Sequence, residues 1–213
     1  MQDQTVKDFA DLLLAGNQDQ AYEFINNLPY RHLVDLLDSV ITPALQYIGD
    51  LWEKNRVSVA DEHLATAICD FILAKLHPKT EGYKGQTAMF MCLEGESHYI
   101  GLKMASMLFA ENGWRIRYLG PNMPVEHVLK QVEDIKPDVV CLSVTIAYHL
   151  PRIAAYLKGL ASLSERPDVI IGSRLALQHD FSLYGVQPSN VMKNLGDVTQ
   201  WMAGLKQGER VNV

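Results

Sequence analysis

TAMFMCL (87–93) runs directly into EGESHYIG (94–101), and this junction decides how the second half of the chain is read. Seven apolar or small residues in a row make a short apolar run of strand length. A helical stretch follows to Asn112, and the same alternation then repeats. WRIRYLG (114–120) precedes a helix over 125–135, and DVVCLSV (138–144) precedes one over 150–163. DVIIG (168–172) and NVMKN (190–194) are the last strand candidates, and 198–205 reads as the closing helix. Strands that alternate with helices pair in parallel, because each crossover returns the chain to the same edge of the sheet.

The fold class is therefore α/β, a doubly wound parallel sheet of five strands in the flavodoxin-like order. In that order ligands bind at the carboxyl ends of the strands. Residues 87–213 form this domain. Residues 78–86, PKTEGYKGQ, carry Pro and two Gly among polar residues and read as a linker. Residues 1–77 have a different period. Leu33, Leu37, Val40, Ile41, Leu45, Ile48 and Leu51 recur at three- and four-residue steps, which makes one apolar helical face. Pro43 interrupts that face and predicts a kink or break near Thr42. Ser58 is a helix cap, with Glu62 in the first turn and Leu64, Ala67, Ile68, Phe71 and Ile72 directed inward. Shorter helices near 6–14 and 20–28 complete an N-terminal four-helix bundle cap.

Composition narrows the function. The 213 residues are 48% hydrophobic and 21% charged, with a net charge of -6. No block of Lys and Arg stands out, so direct nucleic-acid binding through a basic face is not expected. Cys69, Cys92 and Cys141 are odd in number and lie in apolar runs, so they read as buried thiols of a reducing compartment. The N-terminus lacks the pattern of a signal peptide, and no apolar run is long enough to span a membrane. A cytoplasmic location is the expectation. No phosphate-binding glycine loop and no nucleophile triad is visible, so a self-contained catalytic site is not expected either.

The strand ends carry the unusual residues. Glu96, Ser97, His98, Tyr99, Ile100 and Gly101 follow the first strand, Ser143 and Thr145 the third, and Gly172 and Ser173 the fourth. Each has an ordinary reading by itself: a loop histidine, hydroxyls that cap, glycines that turn. Together they form Glu96-x-His98-x-x-Gly101, 41 residues, Ser143-x-Thr145, 26 residues, then Gly172-Ser173. This arrangement resembles the signature of cobalamin-binding domains, usually Asp-x-His-x-x-Gly, Ser-x-Leu and Gly-Gly.

The resemblance implies cobalamin as cofactor, with His98 as the lower axial ligand of cobalt. Imidazole suits such a bond, and a carboxylate two residues earlier fixes the tautomer and raises ligand basicity. Here that partner is Glu96. Gly101 and Gly172 would let the displaced nucleotide tail pass, and Ser143 and Thr145 would offer it hydroxyls. Glu stands where Asp is usual, Thr145 where Leu is usual, and Ser173 where the second Gly is usual.

The helical half adds Trp52, nine intervening residues, then Glu62-His63. This element resembles one in light-sensing cobalamin regulators of the CarH type, where the helical part covers the upper face of adenosylcobalamin. Trp52 would then lie on the upper ligand, with Glu62 and His63 nearby. The ordinary alternative is a core Trp and a polar first turn. Relatives of this type carry a His after the Trp, whereas this chain has Glu53. They also carry a DNA-binding domain that is not seen in this chain, so a stand-alone sensor acting on a protein partner, such as a repressor or effector domain, is expected. A homo-oligomer is a further candidate.

Adenosylcobalamin is the favoured form and methylcobalamin the other. The resemblance implies a photoreceptor role in transcription regulation. Two alternatives stay open. One is a corrinoid carrier subunit of a methyltransferase system, although such carriers usually have an acidic residue where Tyr99 stands. The other is a sensor that also binds a bilin such as biliverdin, for which Tyr148, His149 and His179 are unassigned.

Overall fold

The computed structural model describes residues 2–78 and 85–206. Most of the expected linker, residues 79–84, lies outside the described residues. Contacts within the chain divide it into two compact units, Met1–His77 and Pro78–Val213.

The first unit is all helical. It contains α1 (Gln2–Leu14), α2 (Gln18–Asn26), α3 (Leu33–Leu36), a π-helical turn (Leu37–Ile41), α4 (Thr42–Glu53) and α5 (Val59–Leu76). Helix α1 touches α2, the π turn, α4 and α5. Phe9, Leu13, Ile25, Leu37, Ile41, Ile48 and Ile72 fill the core around it.

Two expectations are met only in part here. The chain does not break at Thr42. α3, the π turn and α4 follow one another directly, and the Thr42 N–H donates to Leu37 O, five residues back. The wider turn comes just before Pro43, whose ring would otherwise meet the carbonyl four residues earlier. Helix α5 buries Ile68 and Ile72 as expected, but its buried face is turned about the axis. Ala65, Ile68, Cys69, Ile72 and Leu73 point inward, while Leu64 is 46% exposed and Ala67 and Phe71 are exposed too. A helix apolar on most sides does not announce which side it buries. Its start is well defined. Ser58 Oγ accepts from Asp61 N–H at 3.2 Å, and the Asp61 carboxylate accepts from Ser58 N–H at 2.8 Å. Asp61 therefore closes the cap, and Glu62 lies in the first turn as expected.

The second unit is α/β. Its five parallel strands are β1 (Thr87–Leu93), β2 (Arg115–Met123), β3 (Val139–Ser143), β4 (Asp168–Gly172) and β5 (Val191–Met192), in the order β2-β1-β3-β4-β5. Helices α6 (Ile100–Glu111), α7 (Val125–Ile135), α8 (Ile153–Ala161) and α9 (Leu195–Lys206) connect or close it. β1 and β3 are buried at every residue, as strands covered on both faces must be. β2 runs three residues past the expected end at Gly120, through a register irregularity. β5 is only Val191–Met192, shorter than the run 190–194.

The register matters for the site. Cys92 of β1 lies opposite Ser143 of β3, and Ser143 lies opposite Gly172 of β4. The loops after β1, β3 and β4 therefore leave the sheet side by side.

Candidate functional site

The loop after β1 is pinned before it reaches His98. Gly95 has φ +84°, and its N–H donates to Asn122 Oδ1 at 2.8 Å. Glu94 N–H donates to the Tyr156 hydroxyl at 2.9 Å, and Arg152 donates to Glu94 O at 2.8 Å. Asn122 N–H donates back to Glu96 O at 3.0 Å. These anchors from the β2 end and from the region of α8 turn the Glu96 side chain into the protein.

Glu96 is fully buried and surrounded by donors. Its Oε1 accepts from His98 N–H at 3.0 Å and faces His98 Nδ1 at 2.6 Å. Its Oε2 accepts from Thr145 N–H at 2.7 Å, the Thr145 hydroxyl at 3.0 Å and Ile146 N–H at 3.1 Å. Burial alone would raise the carboxyl pKa. The hydrogen bonds from His98 and Thr145 outweigh it and hold the group at about 2. Glu96 is thus an anion that can only accept, so the His98 ring proton sits on Nδ1. In a neutral ring the lone pair then belongs to Nε2, the nitrogen a metal would take. The His98 side chain is 57% exposed.

The remaining site residues divide. Gly101, at the start of α6, is exposed, and a Cβ there would meet nothing within 4 Å. At Gly172 a Cβ would only touch Leu142 O at 3.9 Å. Protein packing requires neither glycine, which leaves room for another group. Ser143 is buried, with its hydroxyl against Cys92. Thr145 turns its hydroxyl to Glu96, so the structure gives it a different partner from the tail expected in the sequence. Ser173 is buried and accepts from Leu175 N–H at 3.2 Å, a capping role. Ser97 is exposed, Tyr99 half-buried and Ile100 buried. Tyr99 O accepts from the Tyr118 hydroxyl at 3.3 Å.

In the helical unit Trp52 is 48% exposed on α4 and is not a core residue. Glu62 and His63 pair with each other, Oε2 to Nδ1 at 2.8 Å, and the Thr66 hydroxyl donates to Glu62 Oε1 at 2.9 Å. Tyr148 and His179 are exposed, but His149 is buried beneath Glu96 and is no surface group. Its place beside Glu96 escaped the sequence reading.

A parallel sheet whose carboxyl edge presents a carboxylate-braced imidazole between two spacious glycines defines a ligand-binding domain of the doubly wound class. Comparison with known proteins specifies the ligand. Residues 87–183 match the B12 binding domain family, and residues 5–77 match a second family described as a B12 binding domain. The chain belongs to the cobalamin-binding proteins that carry these two domains.

Among characterised relatives, the HTH-type transcriptional repressor CarH of Myxococcus xanthus is 30% identical over 50% of this chain and 36% of its own length. The repressor CarA of the same organism is 29% identical over 68% of this chain and 50% of its own length. Trimethylamine corrinoid protein 2 of Methanosarcina acetivorans is 22% identical over 62% of this chain and 64% of its own length. The chain thus spans half or less of the two repressors. Among solved structures, the monomethylamine corrinoid protein of Methanosarcina barkeri superposes with a TM-score of 0.70 at 15% identity, covering 97% of this chain and all of that one. That likeness concerns the fold.

Proposed function

We propose that this cobalamin-binding protein is a sensor, with His98 as the lower axial ligand and adenosylcobalamin as the favoured form. The observation that carries the proposal is the Glu96–His98 pair, 2.6 Å between Oε1 and Nδ1, which presents Nε2 as the ligating atom. The residues fit the cofactor: Gly101 and Gly172 leave space that packing does not use, and the ring is accessible. When bound, the cofactor supplies a light-sensitive cobalt–carbon bond. The protein supplies orientation and electrostatics, since the hard chemistry belongs to the cofactor. Glu96 holds the His98 tautomer. Ser143, Ser173 and the Thr145 backbone shape the edge where the tail would lie.

Trp52, with Glu62 and His63, is assigned to the upper ligand. Its exposure on α4 supports this, because a ring of that size in a helix normally finds cover. Loss of the upper ligand by light would then alter the contacts of Trp52, and a change in contacts is the only way a ligand can shift a conformational balance. The signal passes to a protein partner such as a repressor or effector domain, and the relatives named as HTH-type transcriptional repressors connect the reading with transcription control.

The test is an absorption spectrum of the full chain with adenosylcobalamin, before and after green light. We expect a histidine-coordinated spectrum that changes on illumination, and its loss in His98→Ala. Unchanged affinity and spectrum in that variant would remove His98 from the cobalt. The carrier alternative has the corrinoid-protein relatives on its side. It predicts methyl transfer from a methylated amine with a partner methyltransferase, and insensitivity of signalling state to light.

A further inference from the structure

The short helical turn after β3, Ala147–Arg152, brings a second imidazole to Glu96. His149 is 8% exposed, and its Nδ1 lies 3.8 Å from Glu96 Oε2 with no hydrogen-bond partner. Buried polar nitrogens are normally paired. The ring is also fitted closely into place, because a Cβ on Gly95 would stand only 3.1 Å from His149 Nε2. It is aimed at the carboxylate yet stops one step short of it.

Occupancy explains the gap. Oε2 already accepts from two backbone N–H groups and from the Thr145 hydroxyl. Three donors already crowd the roughly two lone-pair sites of a carboxylate oxygen, so a fourth has no place. The two backbone donors are fixed by the chain. The Thr145 hydroxyl alone among them can leave by rotation about a single bond.

We propose that His149 is a positioning residue held in reserve for Glu96. When the Thr145 hydroxyl turns from Glu96 to a bound ligand, the His149 Nδ1–H takes its place on Oε2. The buried carboxylate then never loses a donor, and Oε1 keeps its hold on His98. The ligand that draws the hydroxyl away is the cobalamin tail, so that part rests on the function proposed above. The exchange itself involves protein groups only.

The experiment is nitrogen NMR of the full chain labelled in its histidine rings. Thr145→Val removes the hydroxyl and keeps the shape and both backbone donors, and Thr145→Ser is the matching control. In Thr145→Val without any cofactor, the His149 Nδ1 signal should move to that of a hydrogen-bonded N–H, while Thr145→Ser resembles the unaltered chain. Hydroxocobalamin should cause the same shift in the unaltered chain. Cobinamide, which has no nucleotide tail, should not. His149→Leu should weaken cobalamin about tenfold, as loss of one hydrogen bond to a charged group does. His149→Gln, which restores an N–H, should recover most of it, and cobinamide affinity should stay level throughout.

A His149 signal that does not respond in Thr145→Val overturns the exchange. So does cobalamin binding with His98 on cobalt and His149 unmoved. Absence of any cobalamin spectrum would instead defeat the proposed function, and the cofactor-free Thr145→Val result would still decide the exchange.

Discussion

Glu96 combines two costs that usually exclude each other, a full charge and full burial. Its five hydrogen bonds resolve the conflict, and the carboxyl pKa of about 2 records the result. A folded-state pKa below the unfolded value means stability that is complete above about pH 5 and is lost as pH falls toward 2. The contribution is on the order of 3 kcal/mol. Acid titration of stability in the ligand-free protein should therefore show Glu96→Gln and the unaltered chain far apart at pH 6 and converging near pH 2. Parallel curves would mean that the charge contributes nothing. Gly95 makes a second prediction. Alanine there must adopt φ +84° and press on His149, at a cost of about 1–2 kcal/mol. Urea unfolding should show a lower midpoint with an unchanged slope. The residues Glu96 and His98 were legible in the sequence because they lie two positions apart. His149 was not, because only the pairing of Cys92 with Ser143 sets its loop beside Glu96. The β2-β1-β3 order is the signal that could have found it.

At the scale of elements, the sequence resolved what depends on continuous apolar runs. TAMFMCL and the core of DVVCLSV are strands buried throughout, and no polar position disturbs them. It was less informative where two faces compete. In α5 the set Leu64, Ala67 and Phe71 is as apolar as the set Ile68, Cys69 and Ile72, and only the packing of the helical unit selects the second. At the proline, the expected kink or break takes the form of a π turn and not of a break. Pro43 lies inside a continuous helical run, and the π turn ahead of it, where the Thr42 N–H reaches back to Leu37 O, accommodates the ring. The cap of α5 is directly testable. Ser58 and Asp61 satisfy one another's backbone N–H groups, and Asp61 is held below the usual carboxylate range by the Ser58 hydroxyl and amide. Ser58→Ala should cost about 1 kcal/mol. Thermal unfolding followed at the helical signal should drop accordingly, and an unaltered transition would show that tertiary packing alone fixes the start of the helix.

For the molecule as a whole, the alternation of strands and helices was enough to give the sheet order, and with it the edge where the candidate site is assigned, because parallel crossovers leave few arrangements. The boundary of the helical half and the sheet half also follows a change of period that the eye can find. What the alternation could not give is the side-chain traffic across that edge, such as Thr145 turning to Glu96. Binding offers a test at this scale. Cobalamin at one hundred times its dissociation constant should add about 2.7 kcal/mol to the unit that holds it. The melting temperature should then rise by roughly 5–10 °C. The His98→Ala chain, with its ligand bond removed, should rise much less, and equal rises would place the binding energy elsewhere. No described helix is long and apolar enough to cross a membrane.

The sheet order has a further consequence for how the chain comes into being. β1 sits between β2 and β3, so this strand cannot complete its pairing until residues as far along as Ser143 have been made. The helical unit, by contrast, closes its own core within Met1–His77. Ribosomes add about 5–20 residues each second and domains tend to fold as they emerge. The helices can thus be in place for several seconds while β1 waits. During that interval its all-apolar strand is the part of the nascent chain most in need of a chaperone.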